Sequence, residues 1–303
     1  GSLVINKRSS VDKKTPLEGV TFKITTTNGS FLPDEDGKIS SNGLYYTDEN
    51  GQIVLNSVVG TLVVTEVATI DGYTIHEANR TQTVEVTTDD TQTLYFYNDP
   101  LCSLTLKKID AITGKPVPNT EFTLKDGNGN IIGRYTTGSD GTVTVTGLIP
   151  NSTVVVVETR VPPNYVLDPT PRTIIVRNGT GNSVTTGGSG TIGGCSGSGG
   201  NGNDLTVENV PKVTLTIEKY LETESGDKPL KGVTFLITDQ TGAMVGSSNG
   251  EFTSDENGRI VIPNLEPGTT VTAKEIRVPD GVGLDSSPRS ILIKAGEQGQ
   301  TLR

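Results

Sequence analysis

A lysine in this chain follows an apolar alternation that would turn its side chain towards the core of its own β-strand. Along SLTLKK (103–108), Leu104, Leu106 and Lys108 fall on one face, because side chains alternate between the two faces of a strand. An isolated buried charge costs several kcal/mol and persists only when it is paired or neutralised. The pattern therefore predicts buried polar partners for Lys108.

The same residue types recur at matching places along the chain. Lysines end the first strand of each copy, glutamates end a later apolar alternation, and asparagines end the last one: Lys7, Lys108 and Lys219; Glu66, Glu158 and Glu275; Asn98 and Asn209. The third copy stops at Leu302-Arg303, short of an asparagine expected four residues beyond Leu302, so Lys219 is left as an unpaired lysine. A plain Lys–Glu ion pair, with the asparagine taking a spare hydrogen bond, is one explanation of the pattern.

The repeat has a period near 100 residues and indicates three domains in series. Short alternating strands with turn signals every 8–12 residues are typical of an antiparallel β-sandwich of immunoglobulin-like type, so the fold class is all-β. The tripeptides Asn98-Asp99-Pro100 and Asn209-Val210-Pro211 end the first two copies. We predict domains at 1–100, 101–211 and 212–303, joined by short, semi-rigid junctions.

The second copy carries an insertion, residues 179–203, that is rich in Gly and Ser and that we expect to be too polar and flexible to pack. It contains Cys195, whereas Cys102 lies at the first strand of the same domain. In an oxidising compartment the two could form a disulfide that ties the insertion to the domain. Two free thiols or an intermolecular bridge are the alternatives.

Composition excludes several kinds of function. A net charge of −10 and a pI near 4.7 argue against nucleic-acid binding. The sequence contains no run of 18 apolar residues, so we predict no membrane contact for this segment. His76, Cys102 and Cys195 are the only histidine and cysteines, too few for a four-coordinate zinc site made of Cys and His alone. Acidic segments such as TDEN (47–50) and SDEN (254–257) fit hairpin turns better than calcium loops. We expect no metal and no cofactor, and a surface position for His76.

Several motifs resemble the collagen-adhesin B-type (Cna-B) domains, prealbumin-like modules of Gram-positive pilins and adhesin stalks. The segments VVTEVATIDGY, VVETRVPPNY and KEIRVPDG resemble the glutamate-containing box of that family, and the strand-ending lysines and F/V-x-N-x-P segments match its other motifs. The resemblance implies three tandem prealbumin-like sandwiches. It also implies an intramolecular isopeptide bond from Lys Nζ to Asn Cγ, assisted by the glutamate.

The implied bonds would join Lys7 to Asn98 and Lys108 to Asn209, with Glu66 and Glu158 as catalytic residues and Glu275 in the matching place of the third domain. Burial favours a neutral amine and a neutral carboxylic acid, and proximity then makes the amine an effective nucleophile. A protonated glutamate would hydrogen-bond the asparagine carbonyl and stabilise the developing oxyanion. This is a single-turnover self-reaction, so we do not expect an enzyme.

We therefore predict a stalk or pilin-type segment of a Gram-positive surface protein that is extracellular and anchored to the cell wall, in a fragment without its signal and anchor. Its expected partners are neighbouring domains or subunits of a surface fibre. The alternative is an adhesin module that binds a host extracellular protein or a glycan. Aromatic residues make up only 5% of the chain, which disfavours carbohydrate stacking.

Overall fold

The structure is a computed structural model that describes residues 1–33, 37–177, 184–185, 190–193, 203–297 and 299–303. In these residues the regular structure is β-strand, apart from one turn of 3-10 helix at Glu77–Asn79. Three separate apolar cores lie along the chain. The all-β class and the three sandwiches predicted from the sequence are therefore confirmed.

The first sandwich is built from two four-stranded sheets, β4-β1-β8-β6 and β3-β2-β5-β7. Its core includes Leu3, Ile5, Phe22 and Phe96. The strands are β1 Ser2–Ser9, β2 Thr21–Thr26, β3 Leu44–Tyr46, β4 Gln52–Leu55, β5 Gly60–Ala68, β6 Tyr73–Thr74, β7 Thr81–Val86 and β8 Thr91–Pro100.

The second sandwich pairs the sheets β12-β9-β17-β15 and β11-β10-β13-β14-β16. Its strands are β9 Cys102–Asp110, β10 Glu121–Asp126, β11 Ile131–Thr136, β12 Thr142–Leu148, β13 Thr153–Arg160, β14 Arg172–Arg177, β15 Val184–Thr185, β16 Gly190–Gly193 and β17 Asn203–Asn209. The short strands β15 and β16 lie inside the Gly-rich insertion and extend the two sheets by parallel pairing. For these two stretches the expectation of an unpacked insertion is wrong, because a sheet edge pairs with any backbone, whatever its side chains.

The third sandwich contains the sheets β23-β18-β26 and β22-β21-β24-β25 and a separate hairpin β19-β20. Its strands are β18 Val213–Glu218, β19 Tyr220–Leu221, β20 Lys228–Pro229, β21 Thr234–Thr238, β22 Glu251–Thr253, β23 Arg259–Leu265, β24 Thr270–Arg277, β25 Arg289–Leu292 and β26 Gly299–Leu302. Its core matches the other two in position and chemistry and includes Leu215, Ile217 and Val271.

The first and last strands of each sandwich are adjacent and parallel, although most other pairs are antiparallel. Strand β1 pairs with β8, β9 with β17, and β18 with β26. The antiparallel sandwich predicted from the sequence therefore contains one such parallel pair of first and last strands in each domain. The parallel pairing has a direct consequence, since it places the C-terminal ends of the first and last strands side by side.

The acidic turns adopt the structure that their sequences predict. Asp48 accepts hydrogen bonds from the backbone N–H groups of Asn50 and Gln52, and Asp255 does the same for Asn257 and Arg259. These carboxylates stabilise the turns that lead into β4 and β23. The turns thus fix the start of two strands of the apolar cores.

Candidate functional site

The first domain brings three of the predicted residues into contact inside its core. Lys7 on β1 donates from Nζ to Glu66 Oε2 at 2.8 Å and to Asn98 Oδ1 at 2.5 Å. Asn98 on β8 donates from Nδ2 to Glu66 Oε1 at 2.5 Å and to Thr69 Oγ1 at 2.8 Å. All three are buried, with Lys7 and Asn98 at 0% and Glu66 at 1% exposure. The glutamate reaches across from the opposite sheet and touches both other side chains.

The second domain repeats the arrangement with Lys108, Glu158 and Asn209. The lysine Nζ donates to Asn209 Oδ1 and lies 3.1 Å from Glu158 Oε2, within ion-pair range but outside hydrogen-bond geometry. Asn209 Nδ2 donates to Glu158 Oε1 at 2.5 Å and to the Val166 carbonyl at 2.9 Å. Lys108 is 0% exposed. The two sites therefore share one pattern of contacts.

The third domain contains only part of this arrangement. Lys219 Nζ lies 2.5 Å from Glu275 Oε1, but the lysine side chain is 25% exposed. A cavity of about 40 Å³ opens beside the pair and is also lined by Leu302 and Arg303, the last residues of the sequence. The lysine is therefore reachable from solvent on the side where the asparagine lies in the other two domains.

Strand register explains why the three groups meet. Lys7 pairs with Phe96, so Asn98 lies two residues further along the neighbouring parallel strand. In the same way Lys108 pairs with Val207, and Asn209 lies two residues beyond it. Side chains two residues apart on adjacent strands share a face and reach each other. The lysine and the asparagine therefore need no loop to bring them together.

A β-bulge follows the glutamate in all three domains. The pairing shifts by one residue directly after Glu66, Glu158 and Glu275, next to the partner residues Phe22, Phe122 and Phe235. A bulge of this kind bends a strand and re-aims a side chain. In the first domain Phe22 and Phe96 pack edge to face with ring centroids 4.9 Å apart, beside the polar cluster. Phe22 and Phe96 are thus part of the apolar surroundings of the first-domain site.

Burial changes the acid–base state of the lysines. Desolvation lowers the pKa of Lys7 below its ordinary value, and the hydrogen bond that Lys7 donates to Glu66 opposes that effect. Desolvation likewise lowers the pKa of Lys108, to about 8, against the opposing charge of Glu158. A lower pKa makes the neutral, nucleophilic amine more accessible at physiological pH.

The glutamate contacts differ from the expectation in one respect. The sequence-based mechanism places the glutamate at the asparagine carbonyl, but in both complete sites it accepts a hydrogen bond from the amide nitrogen. The carbonyl oxygen instead faces the lysine Nζ. The carboxyl group therefore contacts the lysine amine and the asparagine amide nitrogen and lies away from the asparagine carbonyl oxygen.

An arginine that was not predicted from the sequence lies fourteen residues after each glutamate, namely Arg80, Arg172 and Arg289. Arg80 donates to the backbone carbonyl of Glu66, from Nε at 3.2 Å and from Nη2 at 3.1 Å. Arg172 is 3% exposed and forms an ion pair with Asp168. The repeated Arg-Thr or Arg-Ser at this offset is the signal that could have found them.

The predicted disulfide would join Cys102 to Cys195. Cys102 is buried at the start of β9, whereas Cys195 lies outside the described residues. The pairing stays a prediction. The described part of the chain contains no helix with the length and apolar content needed to cross a membrane.

Comparison with known proteins identifies the family. The SpaA prealbumin-like fold domain matches residues 1–100, 102–189 and 213–302, one match for each sandwich. The chain belongs to this family. No curated protein matches the chain.

Solved structures that resemble this SpaA-family chain are similar in fold alone. The TIE protein of Bacillus anthracis is 21% identical, with 99% of this chain and 49% of that chain covered and a TM-score of 0.41. BcpA, the major pilin subunit of Bacillus cereus, is 14% identical, with 100% and 97% covered and a TM-score of 0.35. The shaft pilin SpaA from Lactobacillus rhamnosus GG is 13% identical, with 69% and 96% covered and a TM-score of 0.37. The chain spans about half the length of the TIE protein chain.

Proposed function

We propose that this chain is a stalk or pilin-type segment of a bacterial surface protein, stiffened by isopeptide bonds that it forms itself. One observation carries the proposal. In two domains a buried glutamate bridges a lysine at the end of the first strand and an asparagine at the end of the last strand. The bonds would join Lys7 to Asn98 and Lys108 to Asn209.

The contacts support a proton relay through one carboxyl group. Glu66 takes a proton from the Lys7 ammonium through Oε2, and the neutral amine attacks Cγ of Asn98. The carboxyl returns a proton through Oε1 to the amide nitrogen as the old C–N bond breaks. The products are a secondary amide and ammonia, which departs as ammonium with the remaining proton. Glu158 performs the same relay between Lys108 and Asn209.

A plain buried ion pair accounts less well for the complete sites. An ion pair needs no asparagine, yet in both domains the carboxamide hydrogen-bonds both the lysine and the glutamate. A buried Lys–Glu pair by itself is also weak evidence for stability, because desolvation of two charges offsets their attraction. Loss of ammonia removes both the ammonium charge and its desolvation cost.

The bond would enclose almost a whole domain. Lys7 and Asn98 are 91 residues apart in the chain, and Lys108 and Asn209 are 101 apart. By the loop-entropy estimate used for disulfides, closing a loop of about 100 residues stabilises the fold by roughly 4–5 kcal/mol. Unlike a disulfide, the bond resists reduction. This suits a segment that works outside the cell, as part of a fibre or of a wall-anchored stalk.

The junctions between domains support a stiff rod. The backbone N–H of Leu101 donates to the Gly72 carbonyl at 2.8 Å, and that of Lys212 donates to the Asn164 carbonyl at 2.7 Å. Each junction is therefore tied to the loop that follows the glutamate strand. The chain is thereby held to the preceding domain as far as Leu101 and Lys212.

Intact-protein mass spectrometry tests the proposal directly. The wild-type mass should be lower than the sequence mass by two molecules of ammonia. Glu66→Ala and Glu158→Ala should each raise this mass by one ammonia, relative to the wild type and apart from the mass of the substitution itself. Glu77→Ala, which removes an exposed surface carboxylate, should not restore any ammonia. A wild-type mass equal to the uncrosslinked sequence would refute the proposal.

A further inference from the structure

We propose that Arg172 and Asp168 are a positioning pair that prepares the second-domain site for reaction. Arg172 opens β14 directly opposite Val156, two residues before Glu158 on β13. Its Nη2 donates to Asp168 Oδ2 at 2.8 Å, and the backbone N–H of Asp168 donates to Glu158 Oε1 at 3.0 Å. The inference rests on the proposed isopeptide reaction, since it assigns a role within it.

The pair holds the oxygen that the reaction needs. Glu158 Oε1 accepts from both Asp168 N–H and Asn209 Nδ2, so the loop fixes the carboxyl against the leaving nitrogen. Arg172 in turn fixes the loop by a second contact, from Nη1 to the Thr170 carbonyl at 3.3 Å. A continuous chain of contacts thus runs from Arg172 to Asn209.

The other two domains lack a buried arginine in this place, although each has an arginine at the same offset. In the first domain the place of Asp168 is taken by His76, and Arg80 binds the Glu66 backbone and the exposed Glu77. In the third domain the Asp285 N–H contacts Glu275, but Arg289 lies 4.0 Å from Asp285 with 63% of its side chain exposed. Only in the second domain is the guanidinium buried at 3% exposure.

The buried guanidinium also acts on Lys108 by charge. Arg172 is among the groups that lower the pKa of Lys108, after desolvation, whereas Glu158 and Asp168 raise it. Asp110, on the same face of β9, is held by the backbone N–H of Ile112 and by the Tyr165 hydroxyl. A second positive charge nearby favours the neutral lysine, which is the nucleophile.

The test follows bond formation as a function of pH in the full chain. The protein is purified unfolded in acidic urea, and its intact mass there must equal the uncrosslinked sequence mass, with no ammonia lost. It is then refolded at a series of pH values. Acid-quenched samples are digested, and the Lys7–Asn98 and Lys108–Asn209 crosslinked peptides are quantified separately. The first-domain bond is thus an internal control for folding in every sample.

In the wild type the rate of the second-domain reaction should rise with pH and level off above about 8, as Lys108 loses its proton. Arg172→Gln removes a positive charge and should move the midpoint up by roughly one pH unit. Asp168→Asn removes a negative charge and keeps the N–H to Glu158, so its midpoint should move down. Arg172→Lys should restore a midpoint near that of the wild type, and Arg80→Gln should leave the second-domain profile unchanged.

A purely structural role predicts slower reaction with unchanged midpoints in both Arg172→Gln and Asp168→Asn, and that result overturns the inference. If Arg172→Gln yields no second-domain bond at any pH, the Asp168→Asn variant tests the inference alone. An unchanged or raised pH midpoint for Asp168→Asn then refutes the inference. If the wild type forms neither bond after refolding, the proposed function fails instead. The two failures are therefore distinct.

Discussion

Phe22 shows how a single apolar side chain controls the chemistry of its polar neighbours. It is fully buried, pairs with Glu66 across β2 and β5, and packs on Phe96 beside Lys7. Desolvation is the main cause of the lowered pKa of Lys7. Any gap that admits water to this site should therefore return the lysine towards its protonated form.

We expect Phe22→Leu to slow formation of the Lys7–Asn98 bond severalfold and to leave the Lys108–Asn209 bond unaffected. The matched control is Ile24→Val, which trims the same strand at a buried position that faces Val64, away from the glutamate. Crosslinked peptides from refolded protein measure both rates in one sample. Equal slowing by the two substitutions would show that general loss of packing, and not access of water, is responsible.

The inward direction of the polar residues could be predicted from the sequence, but their exact contacts could not. Strict alternation along Leu3, Ile5 and Lys7 is a local property, so it identifies the face without knowledge of the partner strand. Which oxygen of Glu66 meets which nitrogen depends on a bulge and on register between distant segments. Arg172 was missed because it follows no apolar alternation that ends at its own position.

The parallel pair of first and last strands accounts for the position of each site at the element level. In the first domain Ile5 pairs with Leu94, and Asn98 lies four residues beyond Leu94. In the third domain Ile217 pairs with Leu302 in the same register. The matching asparagine position is therefore four residues beyond Leu302, beside Lys219 and Glu275.

This register predicts that the third domain completes a bond once an asparagine is supplied. Extending the chain beyond Arg303 with Phe-Tyr-Asn-Asp-Pro, copied from residues 96–100, should lower the mass by one further ammonia. The same extension with alanine in place of asparagine, and the asparagine extension combined with Lys219→Ala, should not. An unchanged mass for the asparagine extension would contradict the assignment of Lys219 as a reactive lysine.

Sequence patterns predicted the strands themselves better than their partners. Repeated alternation and turn motifs identify a sandwich, because both are encoded within a few neighbouring residues. Parallel contact between the first and last strands joins segments about 100 residues apart, and no local pattern encodes its direction. The resemblance to Cna-B domains implied a bond between these strands, and parallel adjacency is what brings the lysine and the asparagine within reach of each other.

Along the whole chain, the placement of the two complete sites determines which residues would carry tension. Force entering at Gly1 would follow β1 to Lys7, cross the bond to Asn98, and leave through Pro100 into the next domain. The residues between Lys7 and Asn98 would then lie off the path of force. In the third domain of the 303-residue chain the path would run through the strands, since the contact between Lys219 and Glu275 is an ion pair and not a covalent bond.

Single-molecule pulling from both termini should therefore reveal one domain-unfolding event in the wild type, from the third domain. Glu66→Ala should add an event that lengthens the chain by roughly 300 Å, from 91 released residues at about 3.3 Å each. Glu158→Ala should add one of roughly 330 Å from 101 residues. The double variant should give three events, and Glu77→Ala one. Three full-length events in the wild type would mean that the strands, and not covalent bonds, carry the load in all three domains.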